Sequence, residues 1–272
     1  MAVQFKLGLN IDNVAMKPPL ELCPGWDTAE IPITELLLPF DTDEVWEKKL
    51  AEIKTWNQPP WAATSHWLWD ERVTGDNMTD FAELERQAEQ TCRRMAQIGC
   101  EVAGVWGNFF PIGQTSKTKA IETAFKYCEM VARYADQYGI LIALEPTANP
   151  DTIFPTYRDG IQFVKRLNLK PIKLMADLNY FVAIGQAFED IALEPDFCLH
   201  VHIQGETYQP NVGNCDYKIL HIFRVLRDIG YQRTVSSAHP WISTSGEVFN
   251  YRAESEKTLK YLQNLRAQVY SE

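Results

Sequence analysis

The chain reads as a (β/α)8 barrel, a TIM-barrel arrangement of eight parallel strands alternating with helices. Three observations carry this. Eight short apolar, β-branched runs recur along the 272 residues. Seven are followed by a segment of helical or partly helical spacing. No low-complexity linker interrupts the series, so one domain is expected over residues 1–272. An open doubly wound sheet would carry a glycine-rich phosphate turn after its first strand, and "NIDNVAM" is not one.

Taken in order, the strand-like runs are "QFKLGLNI" (4–11), "ITELLLP" (33–39), "WAATSHWLW" (61–69) and "CEVAGVWG" (100–107). They continue with "ILIALEP" (140–146), "IKLMADL" (172–178), "FCLHVHIQG" (197–205) and "RTVSSAHP" (233–240). The first crossover, "VAMKPPLELCPGWDTAEIP", is proline-rich and reads as a long loop with at most a short helix. "DTDEVWEKKLAEIKTW" opens with Asp41 or Thr42 as N-cap and Glu44 in its first turn. "DFAELERQAEQTCRRMAQIG" follows the third strand, and "SKTKAIETAFKYCEMVARYADQYG" ends at Gly139, a residue suited to a left-handed C-cap. "DYKILHIFRVLRDIG" and "YRAESEKTLKYLQNLRAQVY" repeat the pattern, and His221 in the former reads as surface or packing.

Composition narrows the function classes. Hydrophobic residues at 46% and charged residues at 23% suit a soluble protein with a sizeable core. A net charge of −10 with no basic block argues against a nucleic-acid partner. No apolar run is long enough to span a membrane, and the N-terminus has no signal-peptide pattern. The six cysteines are scattered without a CxxC pair, as expected of free thiols in a reducing compartment, the cytoplasm by default.

In such a barrel the site lies at the C-terminal ends of the strands. Strand five ends in Glu145, strand six in Asp177, strand seven in His202, and strand eight near His239. Two carboxylates and an imidazole on neighbouring strands suit a divalent cation of Mn²⁺, Co²⁺, Mg²⁺ or Zn²⁺ type. Counting by twos puts His200 and Cys198 on the same barrel-facing side as His202. His200 then sits one layer deeper, as a buried histidine bonded to a neighbour. A structural hydrogen-bonding role is the alternative for each of the three rim residues.

Other rim residues offer substrate contacts. His66, ending strand three, is a candidate base, or it packs beside Trp67 and Trp69. Trp106 and Asn108 close strand four, where an aromatic face can stack on a sugar ring or simply fill the mouth. Asp151 binds a substrate hydroxyl or caps a helix starting near Ile153, capping being preferred. Tyr180 and Gln204 complete the candidate substrate set. Four tryptophans within "WNQPPWAATSHWLW" would suit a sugar platform or an oligomer contact.

"IALEPTANPD", "MADLNY", "HVHIQG" and "GYQRTVSSAHPW" resemble the four metal-bearing segments of the xylose-isomerase-like barrel superfamily of sugar-phosphate isomerases and epimerases. The resemblance covers nearly the whole chain. It implies a divalent ion, Mn²⁺ foremost with Co²⁺, Zn²⁺ or Mg²⁺ as alternatives, held by Glu, Asp, His and Glu, of which Glu145, Asp177 and His202 match the first three. It also implies isomerisation, epimerisation or dehydration of sugars and inositols. The departures are Tyr180 where a histidine often stands, and Ala238 at the fourth ligand position. "HIQGETYQP" also lacks the substrate-contacting arginine of ketose 3-epimerases, which argues against an epimerase of that pattern.

His239 is the nearest ligand type to Ala238 and is expected to complete the site, provided the strand ends or bulges before Pro240. The leading expectation is a metal-dependent sugar isomerase or epimerase working through an enediolate beside a carbonyl, with Glu145, His239 or His66 as base. A lyase or dehydratase on keto sugars, such as the catalytic subunit of a C-glycoside deglycosidase, is the alternative. A DNA-repair nuclease of the superfamily would need a histidine-rich metal cluster, which five histidines and the acidic charge disfavour. A non-catalytic barrel with a decayed metal site is the remaining reading. A small sugar substrate is expected throughout, in a homo-oligomer, or in a hetero-complex for the deglycosidase case.

Overall fold

A strand flanked on both sides in a parallel barrel must satisfy an outer face against helices and an inner face within the barrel. The computed structural model describes residues 3–11, 25–56, 61–65, 72–203, 216–238 and 251–272. In it β1 (Lys6–Asn10) pairs with both β2 (Thr28–Pro32) and β8 (Thr234–Ser237), which closes the sheet. Between them run β3 (Trp61–Ser65), β4 (Val102–Trp106), β5 (Leu141–Glu145), β6 (Ile172–Asp177) and β7 (Cys198–Ile203), all parallel.

The helices follow the expected places. They are α1 (Asp43–Ile53), α2 (Phe81–Ile98), α3 (Lys117–Tyr138), α4 (Tyr157–Leu167), a short α5 (Leu178–Ala183), α6 (Asp216–Asp228) and α7 (Tyr251–Ser271). Thr42 is the N-cap residue of α1, and Gly139 ends α3 in the left-handed region at φ 71°. His221 on α6 is exposed, meets Glu189 at 2.6 Å and packs edge-on against Phe188. Among the described residues no helix is long and apolar enough to cross a membrane.

The second strand is corrected. "ITELLLP" is not a strand: Ile33–Leu37 forms one wide helical turn, and β2 lies just before it. Ile33, Leu36 and Leu37 are the buried residues of that turn, a spacing that fits one helical face. The turn ends at Leu38, whose φ of 53° is the left-handed conformation. Arg94 of α2, fully buried, satisfies the carbonyls this turn leaves over. It donates to the Leu37, Leu38 and Asp41 carbonyls and to the Asp43 carboxylate, with its guanidinium over Trp46.

Inside the barrel, Val102, Ala143, Met175 and Leu199 form an apolar cluster with Leu141 against it. Leu199 belongs there because β7 shifts register against β6: Leu174 faces Cys198, while Met175 faces His200. The extra residue reverses the parity below it. Cys198 therefore packs with the outer core near Tyr157 instead of facing inward, correcting the count by twos. On the opposite wall the strands come close because Gly8 has no side chain. A Cβ there would meet Ser236 Oγ and Thr234 Cγ2 at 2.6 Å and Thr28 Oγ1 at 2.7 Å.

Candidate metal centre at the strand ends

Pairing in the sheet sets the rim. Trp106 of β4 lies beside Glu145 of β5, and Asp177 of β6 beside His202 of β7. Gly107 permits the first of these approaches, since a Cβ at that position would run into the Glu145 carbonyl oxygen. Glu145, Asp177 and His202 are each buried, and one ligand atom from each lies within 4.8 Å of the others. His202 Nδ1 is 3.8 Å from Glu145 Oε1 and 3.7 Å from Asp177 Oδ2. The other Asp177 oxygen, Oδ1, accepts from the Asn179 backbone N–H at 2.7 Å at the start of α5, which orients the carboxylate. Two carboxylate oxygens and an imidazole nitrogen at this spacing are a fitting donor set for one divalent cation.

Beneath this trio lies a residue that reading the sequence missed. Glu30 of β2, 1% exposed, takes His200 Nε2 at 2.8 Å on one oxygen and His202 Nε2 at 2.8 Å on the other. Asn10 of β1 adds a longer contact from Nδ2 at 3.3 Å. Burial alone would push the Glu30 carboxyl up, but the charges and hydrogen bonds of His202 and His200 hold it well below its usual range. His202 is pulled down by burial yet ends well above its ordinary value, because Glu30, Asp177 and Glu145 favour its charged form. His200 moves the other way, since burial outweighs its single carboxylate partner. The expectation of a deeper, hydrogen-bonded His200 therefore stands, and Glu30 is its partner. Thr28 and Glu30 alternate with Ala29 and Ile31, a period-two signal hidden by its place in a proline-rich stretch.

Trp106 and Tyr180 meet across the rim. The indole Nε1–H donates to the Tyr180 hydroxyl oxygen at 3.0 Å, and Phe109 packs edge-on against Trp106. Asn108 uses its Oδ1 twice, accepting from Thr147 Oγ1 at 3.0 Å and Asn149 Nδ2 at 2.9 Å. Asp151 does not cap a helix. The next helix, α4, begins at Tyr157, where Thr156 and Asp159 form a capping box; Asp151 donates its backbone N–H to Asn149 Oδ1 and its side chain is exposed. His66, Gln204 and His239 lie outside the described residues. Ala238 is described: its N–H donates to the Ile203 carbonyl at 2.9 Å, and two residues before it Ser236 pairs with His202. By strand alternation Ala238 shares the inward side of Ser236.

The profile of the xylose isomerase-like TIM barrel family matches residues 73–265. The chain belongs to that family. A search of curated protein sequences found no match. Among solved structures, the family barrel seen here is similar to the 3-keto-D-glucoside 4-epimerase YcjR from E. coli in its apo form, at 17% identity and TM-score 0.71, covering 97% of this chain and all of that one. It is also similar to the IolI protein with a bound zinc atom (18%, TM-score 0.78, 98% of this chain and all of that one). D-psicose 3-epimerase with D-tagatose from Clostridium cellulolyticum H10 is a third (17%, TM-score 0.72, 97% and 99%). At such identities the likeness is one of fold.

Proposed function

We propose that the chain is a divalent-metal-dependent enzyme of the sugar isomerase or epimerase type. The observation that carries the reading is the meeting of Glu145, Asp177 and His202, from three consecutive strands, with ligand atoms within 4.8 Å of one another. Zinc in the IolI protein and the sugar epimerases among the similar folds support it. Glu145, Asp177 and His202 would hold the cation, Mn²⁺ or Zn²⁺ foremost with Co²⁺ and Mg²⁺ as competitors. When bound, such an ion supplies Lewis-acid polarisation of a carbonyl and lowers the cost of an enediolate.

The protein's own groups do the rest. The Trp106–Tyr180 pair forms a half-buried aromatic wall beside the carboxylates, suited to the apolar face of a sugar ring. Asn108 and the exposed Asp151 offer polar groups along the same rim for substrate hydroxyls. Proton removal beside the carbonyl falls to a carboxylate or histidine at the mouth, Glu145 with His66 and His239 as the histidine candidates. His239 is proposed as the fourth metal-side group, since the Ala238 methyl has no donor atom. A small keto sugar in the reducing interior of the cell is the proposed setting.

Elemental analysis of the purified protein, followed by a screen of ketoses, inososes and 3-keto-glycosides, tests the reading. About one tightly held divalent ion per chain and metal-dependent turnover of a keto sugar are expected. Protein that takes up no ion, or whose turnover ignores chelation, would sink it.

A further inference from the structure

Two groups of metal-ligand type share His202: Glu145, Asp177 and His202 above, and Glu30, His200 and His202 below. We propose that the cation binds through His202 Nδ1 in the upper group, and that Glu30 is a positioning residue which fixes that choice. This rests on the metal reading above and adds the ligand atom, the tautomer and the role of the lower group.

Distances separate the two groups. Ligand atoms sharing one zinc-like ion stand roughly 3.3–3.6 Å apart, from metal–ligand bonds of about 2.0–2.2 Å in tetrahedral array. His202 Nδ1 lies 3.7 and 3.8 Å from its carboxylate neighbours, a spacing an ion draws in slightly. His202 Nε2 lies 2.8 Å from Glu30 Oε1, and His200 Nε2 lies 2.8 Å from Glu30 Oε2. Those are hydrogen-bond distances, too short for two atoms on one such ion.

Hydrogen-bond chemistry then sets the tautomer. A carboxylate only accepts, so each imidazole facing Glu30 presents an N–H at Nε2. With the Nε2 proton committed, the only lone pair His202 can offer is at Nδ1, on the side of Glu145 and Asp177. Glu30 meets His202 Nε2 with both oxygens, at 2.8 and 3.0 Å, and shares the second of them with His200 Nε2, while Asn10 braces it from β1. His200 thereby holds the carboxylate against His202. This gives the "HVH" spacing its reason: one histidine binds, and the other holds the residue that orients it. Supporting carboxylates of this kind are commonly worth about 10–100-fold in metal affinity.

NMR of nitrogen-labelled histidines in zinc-loaded wild type tests the assignment directly. Coordination at His202 Nδ1, with the proton kept on Nε2, and one zinc per chain are expected. Glu30→Gln keeps size and shape but replaces an acceptor oxygen with an N–H₂ donor. Its zinc affinity is expected to fall by about 10–100-fold with mixed histidine tautomers. Zinc on Nε2, a second zinc in the lower group, or a folded Glu30→Gln protein with undiminished affinity and an unchanged tautomer would each overturn the proposal. If the variant does not fold, the wild-type spectrum decides. Wild type that takes up no divalent ion overturns the metal reading itself, visible in elemental analysis before any spectrum, and this assignment falls with it.

Discussion

The chemistry at the mouth of the barrel depends on how a few buried side chains share protons. In the metal-free protein the His202 pKa is raised well above its ordinary value, since Glu30, Asp177 and Glu145 together overcome the burial that would lower it. A histidine raised in this way stabilises the fold fully below its unfolded pKa of about 6.5, and that contribution is lost as pH rises through the folded value. A cation at Nδ1 competes for the same proton. Zinc affinity should therefore increase with pH, and binding near neutrality should release about one proton. Calorimetry in buffers of different ionisation enthalpy counts it, and zero release would mean His202 binds no metal through that nitrogen. Replacing ligands gives a second check. Glu145→Gln or His202→Ala should strip the ion or weaken it by about tenfold or more, read as metal content after dialysis. Full occupancy in both variants would make the trio a structural hydrogen-bond cluster.

At the level of single elements, two close approaches hold the walls in place. β1 reaches its neighbours because Gly8 leaves room for Thr28, Thr234 and Ser236, so Gly8→Ala should cost about 1–3 kcal/mol through overpacking. Urea unfolding measures this, and an unchanged midpoint would show that the neighbours yield freely. The turn after β2 leans on Arg94, which serves three carbonyls and one carboxylate from a fully buried position. Arg94→Met keeps much of the volume but leaves those carbonyls unpaired. A loss of about 2–4 kcal/mol is expected, with β2 and hence Glu30 the first place to loosen in hydrogen exchange. Uniform exchange across the barrel would contradict that order.

For the whole molecule, closure of β1 on β8 brings residues far apart in the chain onto one axis. Glu30 and His202 are 172 positions apart and share a hydrogen bond. The upper trio joins β5, β6 and β7, and Glu30 joins β7 to β2 across the barrel. An ion bound there should stabilise the folded state as a whole, by about 2.7 kcal/mol at a hundredfold excess over Kd, or several degrees in Tm. Chelator should reverse the shift and His202→Ala should erase it. A shift that survives in His202→Ala would place zinc elsewhere on the protein.

By itself the sequence determined the alternation of strands and helices, because each element states its period locally. It also determined the rim trio, because in a barrel the last inward residue of each strand faces the mouth: Glu145 and Asp177 end β5 and β6, and His202 stands one residue before the end of β7. Tertiary structure decided what no local pattern encodes. "ITELLLP" is apolar enough for a strand, yet its buried spacing is helical, and the strand lies in the more polar "TAEIP" before it. A charged residue inside a barrel looks like loop until its partners arrive, and for Glu30 they arrive from β7. The parity of Cys198 failed for a related reason: the register shift between β6 and β7 is set by how the two strands pair, not by either strand alone. Periodicity is a property of one segment, whereas register and burial of charge belong to pairs of segments that only the closed barrel brings together.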